Sequence, residues 1–322
     1  MTTTRWAAEQ DKNALIDFAD YVFSKAHRPH DFQTLLPKLY GENGDGAAHH
    51  FLIEEDGKLL AMLMAYPVSM RIAGEDFLTL GVGTVSVHPR ARGRGFLKVM
   101  LDAVDERARE LNADFAVLGG QRQRYEHFGY FFGGMELHAT LTQANVRHAL
   151  RDADDSDIAI VPFLAEHVAP ALALHASQPS FCERPADKFI DILRNWSNEP
   201  FAVLKGGEFA GFGAMSTGSV LSRRSAGELQ LTDEALCPAV LKKLSENREA
   251  LSLVCPPWHK ERAALLSSIC DQFSIVHNHS CKIYQPERLK AALKRLGSDA
   301  DSFFFDGFTL PLPLFVASPD AV

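Results

Sequence analysis

Apolar residues near the start recur at three- and four-residue intervals: Ala14, Leu15, Phe18, Val22 and Phe23 predict one helix, and Phe32, Leu35, Leu36 and Leu39 a second. Gly41, Gly44 and Gly46 break the helical pattern. The period then shortens. His50 to Glu54, the turn at Glu55-Asp56-Gly57, Leu59 to Met70, the connection at Ala73 to Asp76, and Phe77 to His88 predict three antiparallel strands. Pro89 ends the third. A glycine- and arginine-rich loop follows, and Leu97, Met100, Leu101, Val104 and Ala108 predict a helix over Phe96 to Leu111. Phe115 to Leu118 reads as a buried strand, Gln121 to Phe128 as a short helix closed by Gly129, and Met135 to Thr142 as another strand.

After a charged linker at Arg151 to Asp157, a similar order recurs. Helical segments at Phe163 to Ser177 and Asp187 to Asn195 precede a hairpin over Phe201 to Ser216. A strand at Glu228 to Thr232, a helix at Glu234 to Asn247, a strand at Ala250 to Cys255, a helix at Lys260 to Asp271 and a strand at Ile275 to Tyr284 complete it. At 322 residues the chain exceeds what one core usually holds, since single cores stop growing near ~250 to 300 residues. The expected organisation is a first domain over 1–150, a second over 155–290 and an apolar tail over 291–322.

Composition narrows the function. Hydrophobic residues make up 46% and charged residues 23%, as in ordinary folded proteins. A net charge of −8 argues against nucleic acid as a partner, because phosphate-backbone binders need basic surface. No apolar run reaches the ~18 to 20 residues of a bilayer crossing, and the first ten residues lack the pattern of a secretory leader, so a cytoplasmic location without a membrane partner is expected. The five cysteines are odd in number and lack CxxC spacing, which excludes a disulfide framework. His277, His279 and Cys281 would share one face of a strand, but no fourth zinc ligand accompanies them, and no metal is expected.

Chemistry concentrates between Val85 and Lys98, where a strand runs through Arg90, Arg92, Gly93, Arg94 and Gly95 into a helix. Glycines let the backbone turn several N–H groups inward, and the first helical turn adds unpaired donors and the positive end of its dipole. Arg90, Arg92, Arg94 and Lys98 add positive charge with no acid between Pro89 and Leu101. A pyrophosphate fits such a site. In the second half the equivalent junction, Leu231 to Pro238, carries two acids instead and cannot bind the same group.

R-x-x-G-x-G after a strand ending in V-x-V-x-P resembles the acetyl-CoA motif of the GCN5-related N-acetyltransferases (GNAT), and Tyr125 to Phe131 is similar to the motif that follows it there. The likeness covers roughly residues 1–145, with a degenerate copy after it. Gly83 to Pro89, Tyr125 and Ile283 to Leu293 resemble Eis-type enzymes in particular, although only about thirty residues remain where those continue into a sterol-carrier-like domain. The resemblance implies an α/β (α+β) fold of two GNAT-like domains, each a mixed, mostly antiparallel sheet flanked by helices. It also implies direct transfer of acetyl from acetyl-CoA, as co-substrate, to an amine, and the net charge of −8 makes a primary amine of a small cationic molecule the expected acceptor. The pantetheine arm would lie along Val85 and Val87, opened by a bulge, and the pyrophosphate on Arg90, Arg92, Gly93, Arg94, Gly95 and Phe96.

Tyr125 is the expected general acid, protonating the departing thiolate. For the base, Glu54, Glu55, His88 and the terminal carboxylate of Val322 stay open, the last suggested by the Eis-type resemblance. An acyl-CoA sensor without turnover is the alternative reading. The segment Phe303 to Val316 is too apolar to be solvated and too rich in proline for a helix; it is expected to pack on the domains and wall the acceptor pocket, or to mediate a homo-oligomer. Gly81-Val82-Gly83 starts a dinucleotide-binding pattern but lies inside a strand, so no nicotinamide site is expected.

Overall fold

The computed structural model describes residues 1–26, 29–216, 223–277, 279–297, 304–305, 308–309 and 317–322. In chain order the elements are β1 (Thr2–Trp6), α1 (Lys12–Ala26), α2 (Phe32–Leu35), α3 (Pro37–Tyr40), β2 (His50–Glu55), β3 (Lys58–Ile72), β4 (Glu75–Val87), α4 (Phe96–Leu111), β5 (Phe115–Leu118), α5 (Arg122–Tyr125) and β6 (Phe131–Phe132). They continue through β7 (Met135–Thr142), α6 (Gln143–Ala149), β8 (Ile158–Pro162), α7 (Val168–Ala176), β9 (Ser180–Cys182), α8 (Phe189–Arg194), β10 (Asn198–Lys205), β11 (Glu208–Ser216) and β12 (Arg223–Leu231). The run ends with α9 (Cys237–Ser245), β13 (Ala250–Cys255), α10 (Lys260–Ile269), β14 (Gln272–His277), β15 (Ser280–Ile283) and α11 (Pro286–Arg295). The chain forms two compact units: unit 1 is Met1–Gly133, His279–Leu312 and Ala321–Val322, and unit 2 is Gly134–Asn278 and Pro313–Asp320.

In unit 1 the strands run β1-β2-β3-β4-β5-β15-β6, antiparallel except where β4 and β5 pair in parallel. Both faces are covered, which is why β3 reads as a nearly continuous apolar run. Ala61, Leu63 and Ala65 join Met100, Leu101 and Val104 of α4, while Met62 and Met64 face Leu15, Ile16, Leu36 and Leu39. Alternate side chains of a strand point to opposite faces, and each fully buried Leu or Met contributes about 1.5–3 kcal/mol.

Unit 2 repeats the layering, with order β14-β7-β13-β12-β11-β10-β8 and a parallel pair at β12 and β13. Val146, Val240, Leu241 and Leu266 cover one face; Ala171, Phe189 and Leu193 cover the other with Phe212. Two mixed, mostly antiparallel sheets flanked by helices are the α/β architecture expected.

The division falls elsewhere than the expected 150–155. β7 lies between β13 and β14 in unit 2, and β15 lies between β5 and β6 in unit 1. Alternation records that a strand has a buried face, not which sheet buries it. The predicted strand over Ile275 to Tyr284 is accordingly two strands, with His277 in β14 and Cys281 in β15. Among the described residues no three metal-ligating side chains cluster. The expectation for the apolar tail lies largely outside the described residues; within it, Phe304–Phe305 pairs antiparallel with Phe308–Thr309. No helix among the described residues is long and apolar enough to cross a membrane.

Candidate active site

The centre of unit 1 is a bulge in β4. Met62 of β3 faces Ser86, but Met64 faces Gly83, so β4 spends an additional residue here. Thr84 takes the left-handed φ of 45°, a conformation that costs a β-branched residue on the order of 1–3 kcal/mol. A buried polar network holds it. His50 Nε2 lies 3.0 Å from Thr84 Oγ1 and 2.9 Å from the Tyr40 hydroxyl, and Tyr40 also approaches Thr84 Oγ1 at 3.4 Å. His50 Nδ1 faces the carbonyls of Gly46 and Ala47 at 2.9 and 3.2 Å. Carbonyls only accept, so Nδ1 carries the proton and Nε2 is the acceptor that faces the two hydroxyls. Burial pushes the His50 pKa down to about 4, which keeps the ring neutral.

Next to the bulge the sheet opens. The parallel register of β4 with β5 runs from Thr79 opposite Phe115 to Val82 opposite Leu118, and β4 continues to Val87 held through β3. Val85 and Val87 are half-buried along this stretch and pack on the α4 side. Ser86 Oγ is buried with no hydrogen-bond partner among the described residues.

The loop after β4 forms as the sequence predicts. His88 Nδ1 accepts from the Arg90 amide at 3.1 Å, and Arg90 and Arg92 are exposed. Gly93 and Gly95 adopt φ of 78° and 77°, yet a Cβ on either would meet nothing within 4 Å, so the requirement is conformational rather than steric. Gly95 caps α4 without a side chain, and the amides of Phe96 and Leu97 precede any intrahelical acceptor. Phe96 is buried and anchors the turn.

Arg94 differs from the acid-free cluster expected. Its guanidinium meets Glu55 at 2.6 Å and lies 4.8 Å from the Phe96 ring centroid, and its hydrogen bonds pull the Glu55 pKa down to about 2. The acid comes from the β2–β3 hairpin, distant in sequence.

The chain end reaches β4. A Cβ on Gly81 would lie 2.6 Å from Val322 Cγ2, and one on Gly83 would lie 2.8 Å from the Val322 carboxyl carbon. Gly81 and Gly83, which in sequence resemble a failed dinucleotide motif, are thus the bare seat of Val322 beside the bulge, Gly81 under its side chain and Gly83 under its carboxyl carbon. The other candidate bases are engaged elsewhere. Glu54 pairs with Arg5 at 3.0 Å, Glu55 with Arg94, and the His88 ring stacks on Tyr21 at 5.5 Å.

Tyr125 ends α5 and is 7% exposed, with its ring Cε2 3.0 Å from where a Cβ on Gly120 would stand. It packs with Val82 and Leu118 on the α4 side of the sheet, whereas Val322 packs with the cluster on the opposite face. Burial raises its pKa, so the hydroxyl keeps its proton at neutral pH. Sequence reasoning missed the Tyr40–His50–Thr84 network; its only signal was a histidine at the head of the apolar run Phe51 to Ile53.

Residues 3–133 match the family model described as an acetyltransferase (GNAT) domain. No curated protein matches the sequence significantly. Among solved structures, the chain is similar to a GCN5-related N-acetyltransferase from Kribbella flavida, with TM-score 0.68 and 18% identity over 91% of this chain and 74% of that one. It is also similar to Eis1 from Mycobacterium abscessus, with TM-score 0.62 and 16% identity over 91% and 76%. A third likeness is to N-myristoyltransferase of Saccharomyces cerevisiae with bound myristoyl-CoA, with TM-score 0.55 and 10% identity over 88% and 79%. At these identities the likenesses establish the fold.

Proposed function

Because residues 3–133 belong to the GNAT acetyltransferase family, we propose that the protein moves an acetyl group from acetyl-CoA directly to a primary amine of a small, cationic acceptor. The observation that carries this reading is a coincidence within one strand–loop–helix unit. The β4 bulge and the parting of β4 from β5 lie immediately before two left-handed glycines and the open N-terminus of α4.

In this reading the pyrophosphate of the co-substrate sits on the amides of Gly93 to Leu97 with Arg90 and Arg92 beside it, and Arg94 is oriented by Glu55. The pantetheine amides pair with the β4 backbone along Val85 and Val87. The acceptor arrives from the face of Val322, whose carboxylate takes the amine proton, directly or through water, as the C–N bond forms. A β4 amide at the bulge donates to the carbonyl oxygen as it gains charge. Tyr125, on the other face, gives its proton to the sulfur as the C–S bond breaks, and regains one from the released amine proton. The net charge of −8 favours cationic acceptors over anionic ones.

Thiol release from acetyl-CoA, measured with a panel of primary amines for wild type and Tyr125→Phe, tests the proposal. We expect turnover with at least one cationic amine and a loss of about 10²-fold or more in kcat for the variant. Tight coenzyme A binding without turnover for any amine would replace this reading with that of an acyl-CoA sensor.

A further inference from the structure

Unit 2 repeats the strand device of unit 1 without its phosphate loop. Ala214 of β11 faces Glu228, but Met215 faces Ala226, so β12 bulges at Gly227, and its parallel register with β13 ends at Ala226 opposite Leu253. The space beside it is a narrow cleft, and Ser180, Glu228, Gln230, Trp258, His259 and Asp320 line it.

Three polar atoms on this cleft have no hydrogen-bond partner among the described residues: Ser180 Oγ, Gln230 Oε1 and His259 Nε2. Ser180 is 3% and Gln230 7% exposed, and the three polar atoms are themselves buried. Their chemistry is fixed by what surrounds them. His175 Nε2 lies 2.7 Å from the Cys182 carbonyl and must donate there, which leaves Nδ1 an acceptor. The Gln230 amide therefore turns its NH₂ toward His175 Nδ1 at 3.1 Å and Glu228 Oε1 at 2.6 Å, and its carbonyl oxygen is the orphan. His259 Nδ1 faces Glu234 Oε1 at 3.2 Å and donates to it, which leaves Nε2 as the ring nitrogen without a partner.

Arg184 is fully buried between Glu228 at 2.9 Å and Asp320 at 2.7 Å, and burial raises the Glu228 pKa. Burial, with help from Arg184, pushes the His175 pKa down to about 3. Glu234 is balanced by Arg262 at 2.5 Å. The site thus offers unpartnered acceptors beside Trp258.

We propose that the unit 2 cleft binds an organic primary ammonium, whose three N–H groups satisfy Ser180 Oγ, Gln230 Oε1 and His259 Nε2. This assignment does not rest on acetyl transfer in unit 1. It is tested on the full chain with n-butylammonium as probe, by calorimetry and by the ¹⁵N signal of His259 Nε2, with tetramethylammonium as the control that carries charge but no N–H. Butylammonium should bind and shift the Nε2 signal, tetramethylammonium should bind at least about tenfold more weakly, and Ser180→Ala and Gln230→Met should each weaken butylammonium about tenfold. Ser180→Ala removes only an unpaired hydroxyl, so it decides the matter should Gln230→Met fail to fold. Absence of binding would show a cleft that holds water alone, and equal affinity for the two cations or unchanged affinity in Ser180→Ala would overturn the assignment of the three acceptors to an ammonium.

Discussion

The carboxyl carbon of Val322 stands 2.8 Å from the position a Cβ would occupy on Gly83, next to the bulged residue of β4. Val322 therefore occupies space that only a glycine leaves open. Gly83→Ala should displace it and lower kcat about tenfold, and removal of Val322 should lower kcat about 10²-fold. Coenzyme A affinity should stay within about twofold of wild type in both, since neither touches the phosphate loop. Steady-state kinetics beside calorimetry separate the two quantities.

The His50 network predicts a pH dependence of stability. His50 has a folded-state pKa of about 4, below the ordinary histidine value of 6.5, so the unfolded chain binds the proton first as pH falls. Its contribution is fully present above about pH 6.5 and is lost progressively toward pH 4, by about 3 kcal/mol. Chemical denaturation across that window should show the loss. His50→Gln, which cannot titrate, should flatten this part of the profile at a lower overall stability.

Glu55 holds Arg94 at 2.6 Å and places a negative charge beside the proposed phosphate site. Glu55→Gln should tighten coenzyme A binding by about two- to fivefold at low salt, and the gain should shrink as ionic strength screens it. An unchanged Kd at low salt would mean that Arg94 does not reach the phosphates.

Much of unit 1 is legible in the sequence because its signals are local. The hairpins at Asp56-Gly57 and Ala73-Gly74, the apolar stripe of α4 and the glycines at 93 and 95 each follow from residues a few positions apart. β1 escaped because Thr2 to Arg5 are exposed polar residues on an edge strand, where no apolar alternation is required. The placement of β7 and β15 escaped because partner choice is a long-range property. The bulge itself was expected, but what holds Thr84 in a left-handed conformation is a contact among Tyr40, His50 and Thr84 that no window of sequence contains. The position of Val322 was suggested by family resemblance, and Gly81 and Gly83 reveal its seat only once the chain end is in place.

The central claim is that the turn at Gly93 to Gly95 and the start of α4 grip the diphosphate of coenzyme A. A Cβ at Gly93 or Gly95 meets no neighbour, so alanine there perturbs only the left-handed turn, by about 1–2 kcal/mol per residue. The most direct measurement is a calorimetric titration of coenzyme A into wild type and Gly95→Ala, alongside Arg92→Glu. Saturable binding is expected for wild type, with at least about tenfold weaker binding to Gly95→Ala and a greater loss in Arg92→Glu. No heat with wild type, or equal affinity in all three proteins, would contradict it.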